Sequence, residues 1–133
     1  MNEVDFFKQY CEFVKSTTSE CTTSDEKFFE RAKMLSEKLG GEFARLDTAI
    51  NGIAGETGEI ADIWKKIKFQ DKELSEENID DLVHELGDLY WYLAQATMAL
   101  GVSQEKIIEM NIEKLKKRHP HGFSNAYFKE NQK

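Results

Sequence analysis

Hydrophobic side chains recur every three or four residues along most of the chain, which is the period of an amphipathic helix. Hydroxyl-rich, glycine-containing or polar stretches, which tend to end helices, separate these segments. No segment shows the strict alternation that is typical of a half-buried strand. The pattern therefore predicts an all-α chain with five helices, at about residues 3–15, 25–39, 42–69, 76–100 and 104–118.

Capping signals stand at the ends of these predicted helices. Ser24, Ser75 and Ser103 lie where an N-cap hydroxyl is expected, and Gly101 lies where the fourth helix should end. The segment 16–24 (STTSECTTS) is predicted to be a loop, because its hydroxyl groups compete for backbone hydrogen bonds.

The two longest predicted helices each carry one apolar stripe. The third helix carries Phe43, Leu46, Ile50, Ile53, Ile60, Trp64 and Ile67, and the fourth carries Ile79, Leu82, Leu86, Leu89, Leu93, Ala96 and Leu100. A short polar connection, residues 70–75, joins the two helices and predicts an antiparallel hairpin. Trp64 is expected in the core because it belongs to the stripe.

Three glycines interrupt the third helix within seven residues. Gly52, Gly55 and Gly58 each cost the helix roughly 1 kcal/mol relative to alanine. Close packing against another helix explains such glycines, and so does a close approach of the backbone to a ligand. The sequence leaves both explanations open.

Length and charge limit the possible classes of protein. The 133 residues are expected to form a single domain, 1–133, and the formal net charge of -7 disfavours polymeric nucleic acid as a partner. The amino-terminal residues lack the basic start and apolar core of a signal peptide, and no apolar run reaches membrane-spanning length. A soluble cytoplasmic protein without a membrane partner is expected, with Cys11 and Cys21 as free thiols.

Two acidic phrases carry the candidate chemistry. Glu56 and Glu59 lie three residues apart on the third helix, and Glu85 and Asp88 lie three apart on the fourth. In the predicted hairpin Glu59 is nearly level with Glu85, and Glu56 with Asp88, so the four carboxylates should converge on one patch. At least one acid of each pair should point into the seam between the helices.

Several like charges in a partly dry seam repel each other and lose solvation. Either some of these carboxylates stay protonated, or a cation lies among them. All-oxygen ligands without histidine or thiolate suit a hard ion, Mg²⁺ or Mn²⁺. The alternative is plain salt bridges from Lys65, Lys66 or Lys68.

The two phrases and their surroundings resemble a known family. A Glu-x-x-Glu motif followed after about 25 residues by Glu-x-x-Asp is similar to the metal-binding pattern of the MazG-like nucleotide pyrophosphohydrolases, in the all-α NTP pyrophosphatase superfamily. NGIAGETGEIADIWKK (51–66) and HELGDLYWYLA (84–94) resemble its two core helices, and NIEKLKKRHPHGF (111–123) resembles its third motif. The resemblance covers about residues 42–125.

The resemblance implies a four-helix-bundle-like fold and a reaction. Glu56, Glu59, Glu85 and Asp88 would bind Mg²⁺, with Mn²⁺ as a possible substitute, and would be the catalytic residues. A metal-activated water would attack the α-phosphorus of a (deoxy)nucleoside triphosphate and release pyrophosphate. The resemblance also implies a homodimer or homotetramer. The helices of a single chain, paired as hairpins, cannot cover both faces of the two long helices, so an oligomer is expected on this ground as well.

Substrate contacts are expected from a second set of residues. Asn111, Lys114 and Arg118 lie on one side of the last helix and offer an amide and two cations to phosphate oxygens, a role that the family match favours over simple dipole complementation. Lys66 either reaches a phosphate or belongs to a solvated face. Tyr92 flanks the seam one turn beyond Asp88, where it could stack on the base, and Trp91 is placed similarly.

Three alternatives stay open at this point. Within the superfamily, a dUTPase or a phosphoribosyl-ATP pyrophosphatase would share the metal site and differ in the base pocket. A non-catalytic helical module could sense nucleotides or bind partners on the same fold. A ferritin-like carboxylate oxidase is disfavoured, because it needs Glu-x-x-His on two helices and the nearest match is Asp81-x-x-His84 alone.

Overall fold

The structure, a computed structural model, describes residues 3–123, and every regular element among them is a helix. The prediction of an all-α fold is therefore confirmed. The chain divides into two compact units, Met1–Phe43 and Ala44–Lys133. The expectation of a single domain stays a prediction. None of the described helices has the length and apolar character needed to cross a membrane.

The first unit contains α1 (Glu3–Ser16), α2 (Glu20–Thr23) and α3 (Asp25–Lys38). Helix α1 ends where hydroxyl side chains take over its last carbonyls: Ser16 donates to the Phe13 oxygen at 2.7 Å and Thr18 to the Val14 oxygen at 2.5 Å. The stretch 16–24 was predicted to be a loop throughout, which is wrong for its second half. One short helical turn forms there, because residues 20–23 close it with local backbone bonds.

Helix α3 begins at the predicted N-cap and ends before two glycines. The Ser24 hydroxyl accepts a hydrogen bond from the backbone N–H of Lys27 and caps the helix. Gly40 and Gly41 follow the helix with φ angles of 63° and 92°, which glycine adopts without the steric cost of a side chain. Cys11 and Cys21 are free thiols, as predicted.

The second unit is built on two long helices and a shorter one: α4 (Phe43–Phe69), α5 (Glu76–Leu100) and α6 (Gln104–Arg118). Ser75 and Ser103 cap α5 and α6 through the N–H groups of Asn78 and Lys106. Gly101, at φ 63°, closes α5 as predicted.

Helices α4 and α5 form the predicted antiparallel hairpin. Residue numbers increase along α4 in the direction in which they decrease along α5. Near the start of α4, Arg45 donates to the Gln95 side chain at 2.7 Å; further on, Gly52 lies against the Tyr92 ring; still further, Glu59 meets Glu85. The turn at 70–75 includes Asp71 at a positive φ of 53°. This register levels the two acidic phrases with each other.

The seam between α4 and α5 is narrower than the apolar stripes suggest. The inward side of α4 consists of half-buried or buried residues at heptad spacing, namely Leu46, Ala49, Ile53, Glu56, Ile60, Ile63 and Ile67. Ile50 and Trp64, assigned to the same stripe from the sequence, are 58% and 49% exposed, so that assignment is wrong. Apolar residues cover more than one side of α4, and spacing alone does not say which side meets α5.

Helix α5 divides its predicted stripe in the same way. Leu82, Leu89 and Ala96 are half-buried in the seam together with Glu85 and Tyr92. The rest of the stripe forms an exposed row along the helix, composed of Ile79, Leu86, Leu93 and Leu100.

Candidate metal centre

The four acids occupy two different environments. Glu56 and Glu85 lie in the seam and are half-buried, whereas Glu59 and Asp88 lie at its edge and are exposed. The heptad spacing of the inward residues puts the first member of each phrase in the seam and its partner, three residues later, at the rim. The expectation that one acid of each pair points into the seam is therefore met.

The cluster is tight. One carboxylate oxygen each from Glu56, Glu59 and Glu85 can be chosen so that all three lie within 4.8 Å of one another. Asp88 belongs to the same group, because it lines the same cavity as Glu56 and its charge acts on Glu59. The structure thus brings together all four acids that the sequence singled out.

The pKa of Glu59 is raised above its ordinary value. The main cause is the hydrogen bond shared with Glu85, which requires a proton between the two carboxylates; repulsion from Glu85 adds to it, followed by desolvation and by Asp88. The cluster therefore holds a proton more tightly than isolated carboxylates do. A proton and a metal cation satisfy such a cluster in the same way, by compensating its negative charge.

No basic side chain within residues 3–123 forms an ion pair with any of the four acids. The Oε2 atoms of Glu56 and Glu85 are buried and accept no hydrogen bond. Buried carboxylate oxygens without a partner are costly, so these two atoms would be stabilised by a bound cation.

The lysines nearest in sequence are engaged elsewhere. Lys65 and Lys66 bind the carboxylate of Asp62 at 2.9 Å and 2.6 Å, and Lys68 lies over the Phe69 ring. Hydrogen bonds from the two ammonium groups lower the pKa of Asp62 to about 2, and Lys66 has the larger effect. The sequence left open that these lysines neutralise the acid cluster through salt bridges. In the structure they bind Asp62 or lie over Phe69 instead. The i,i+3 and i,i+4 spacing from Asp62 was the available signal for this pairing.

The donor atoms of the cluster suit a divalent cation. The donors are all carboxylate oxygens, two of them buried without a partner, and they converge within a few ångströms. Hard cations such as Mg²⁺ and Mn²⁺ prefer this donor set, and neither thiolate nor imidazole is part of the cluster. The residues present fit the ion.

An aromatic wall lies beside the acids. Glu56 and Asp88 share a cavity of about 340 Å³ with Trp91 and Tyr92, whose rings meet edge to face at 4.9 Å and 88°. Tyr92 is half-buried and Trp91 is 55% exposed. The cavity thus combines carboxylates with flat apolar surface, a combination that suits a ligand with a charged and an aromatic part. Trp64 does not line it.

The remaining candidate residues lie apart from this cavity. Asn111, Lys114 and Arg118 are exposed along α6, and none of them lines the cavity that contains Glu56 and Asp88. Lys66 is paired with Asp62 rather than directed at the cluster. Their proposed contacts with phosphate stay predictions.

A helical hairpin that brings four carboxylates together defines an all-α protein with a candidate metal site. The chain belongs to the MazG nucleotide pyrophosphohydrolase domain family, whose family model matches residues 45–123. The match covers α4, α5 and α6 and thus every acid of the cluster. The resemblance seen in the sequence is confirmed.

One curated relative is the Gene 37 protein of Mycobacterium phage L5, to which this chain is 43% identical over 72 residues. The matched stretch is 53% of this chain and 63% of the phage protein, so the chain spans less than two thirds of that relative. A comparison with the solved structures gives no significant match.

Proposed function

We propose that this protein hydrolyses (deoxy)nucleoside triphosphates to the monophosphate and pyrophosphate in a Mg²⁺-dependent reaction. The observation that carries the proposal is the cluster of Glu56, Glu59, Glu85 and Asp88. Two of its carboxylate oxygens are buried without a partner, and no basic side chain among residues 3–123 forms an ion pair with it. Membership of the MazG nucleotide pyrophosphohydrolase family supports the same reaction.

Each part of the site has a task in this reaction. The four acids would hold Mg²⁺, with Mn²⁺ as a substitute, and one of them would accept the proton of the attacking water. When bound, the ion would neutralise the triphosphate charge and favour attack of water at the α-phosphorus. The half-buried position of Glu56 and Glu85 limits the water around the reacting group, which strengthens the electrostatic interactions there.

The other candidate residues bind the substrate. Tyr92, with Trp91, offers a flat surface to the base next to the acids. Asn111, Lys114 and Arg118 offer hydrogen bonds and positive charge to phosphate oxygens. Lys66 contributes only when its ammonium group turns from Asp62 towards a phosphate.

The direct test is a panel of canonical and damaged (d)NTPs with Mg²⁺, in which pyrophosphate and orthophosphate are measured separately. We expect pyrophosphate and monophosphate in equal amounts from at least one nucleotide. Release of orthophosphate without pyrophosphate would mean that the enzyme cleaves a different phosphate bond from the one proposed. The panel includes dUTP and phosphoribosyl-ATP, because exclusive use of either would assign the protein to that alternative within the superfamily. Nucleotide binding without turnover would indicate a non-catalytic module.

We also propose that the chain acts as a homodimer or homotetramer. Among the described residues only Ala49 and Ala99 are buried, while α6 exposes a set of apolar side chains that includes Ile107, Ile108, Met110, Ile112 and Leu115. Together with the exposed row on α5, this is more apolar surface than a monomer usually leaves to water.

Light scattering after size exclusion is expected to give two or four times the chain mass of 15.4 kDa. The thermal midpoint should also rise with protein concentration, because association stabilises the folded chain. A mass of 15.4 kDa at every concentration would contradict the proposal.

A further inference from the structure

One of the three glycines of α4 lies directly under an aromatic ring. A Cβ atom built on Gly52 would overlap the ring atoms of Tyr92, whereas one built on Gly55 or Gly58 meets nothing within 4 Å. Of the two explanations for these glycines, close helix packing therefore applies to Gly52. The absence of a side chain there lets the ring of Tyr92 lie against the backbone of α4.

This contact is next to the proposed reaction centre. Tyr92 follows Asp88 by one helical turn, and Gly52 precedes Glu56 by one turn, so the contact is one level beyond the acids in the hairpin. The Tyr92 ring lines the cavity together with Glu56 and Asp88, and the edge-to-face contact with Trp91 holds it from the side. A methyl group at position 52 would move the ring away from α4 and change the shape of the cavity.

We propose that Gly52 is a positioning residue for substrate binding: it fixes the Tyr92 ring as the wall on which the base of the nucleotide packs. The inference rests on the proposed function and deepens it by naming what sets the base-binding surface. Gly52 does not touch the acids' ligand atoms, so it should act on the affinity for the nucleotide rather than on the bond-breaking step.

The test compares Gly52→Ala with Gly58→Ala in the full chain. Gly58 lies in the same helix, about 160° round from Glu56, and a Cβ there is in open space, so its substitution controls for the change in helix propensity. With a nucleotide that the wild type hydrolyses, Gly52→Ala should raise KM by about tenfold, the size expected for loss of one base–aromatic contact. Its kcat should stay within about twofold. Gly58→Ala should leave both constants unchanged.

Substitution of Tyr92 separates positioning from general packing. Tyr92→Phe keeps the ring and should retain the KM of the wild type, whereas Tyr92→Ala should raise KM as Gly52→Ala does. Because both changes remove the same contact, the double variant should be no worse than Tyr92→Ala alone. If Gly52→Ala fails to fold, the double variant restores space for the new methyl group, and its folding with the KM of Tyr92→Ala supports the same assignment.

The outcomes distinguish this inference from the proposed function. An active wild type with equal KM values for Gly52→Ala and Gly58→Ala would overturn the role of Gly52 alone. A Gly52→Ala variant that loses kcat with unchanged KM would also overturn it, because the ring would then not act through binding. A wild type that releases no pyrophosphate from any nucleotide would instead remove the proposed function.

Discussion

Replacement of Glu59 by glutamine is expected to lower the kcat of pyrophosphate release by at least about 10³-fold. A metal ion that stabilises developing charge contributes several kcal/mol, and roughly 1.4 kcal/mol corresponds to tenfold in rate. Glutamine keeps the shape of the side chain and removes the charge that helps to hold the ion. Because Glu59 is exposed and adds repulsion to the cluster, the metal-free variant should fold as well as the wild type or better.

Asp88→Asn should have the same effect, since Asp88 lines the cavity together with Glu56 and is exposed like Glu59. Asp80→Asn is the matched control, because Asp80 is an exposed acid on the same helix outside the cluster. Turnover is measured with a pyrophosphate assay and folding by circular dichroism. Near-normal turnover in both Glu59→Gln and Asp88→Asn, with the fold retained, would refute the proposed roles.

The second large effect concerns the metal ion. Addition of Mg²⁺ to metal-free protein, at about one hundred times its dissociation constant, should raise the thermal midpoint by about 10 °C. The physical reason is that the ion binds the folded cluster, where the Oε2 atoms of Glu56 and Glu85 have no partner, and not the unfolded chain. EDTA should reverse the shift, and calorimetry measures it.

Two variants control this measurement. The double change of Glu56 and Glu85 to glutamine should abolish the response to Mg²⁺, whereas Asp80→Asn should respond as the wild type does. If neither Mg²⁺ nor Mn²⁺ shifts the midpoint of the wild type at millimolar concentration, the acids do not form a metal site.

The same site should make stability depend on pH, in a direction that the pKa of Glu59 fixes. In the metal-free folded protein that pKa is raised by the hydrogen bond with Glu85 and by the charges of Glu85 and Asp88. The resulting contribution to stability is complete below the ordinary pKa of glutamate, about 4.3, and is lost as the pH rises through the raised value. Mg²⁺ takes the place of the proton, so the gain from Mg²⁺ should grow over the same rise in pH. Thermal scans at several pH values check both trends: scans with EDTA give the loss of stability with rising pH, and scans with Mg²⁺ give the growing gain from the ion. Glu59→Gln should weaken both pH dependences.

Much of the fold could be predicted from local chemistry. Helix ends followed Ser24, Ser75, Ser103 and Gly101, because capping depends on residues within one turn of the end. The short helix within 16–24 was missed because hydroxyl side chains offer the backbone alternative hydrogen bonds, so a hydroxyl-rich stretch is compatible with a turn of helix as well as with a loop.

The acid cluster was also predictable, since it needs only the helical period and a short connection. Spacing of three places Glu56 with Glu59 and Glu85 with Asp88, and the polar turn at 70–75 levels the two pairs. The heptad position of Glu56 and Glu85 further determines that these two acids, and not their partners, enter the seam.

The sequence by itself determined the five longer helices, the caps at Ser24, Ser75, Ser103 and Gly101, and the convergence of four carboxylates, because each of these depends on periodicity and near neighbours along the chain. Only the tertiary structure decided that Ile50 and Trp64 face outward and that Gly52 receives the Tyr92 ring. The physical reason is that α4 is apolar on more than one side. Which side meets α5 depends on how the two helices rotate against each other, and no local rule contains that angle.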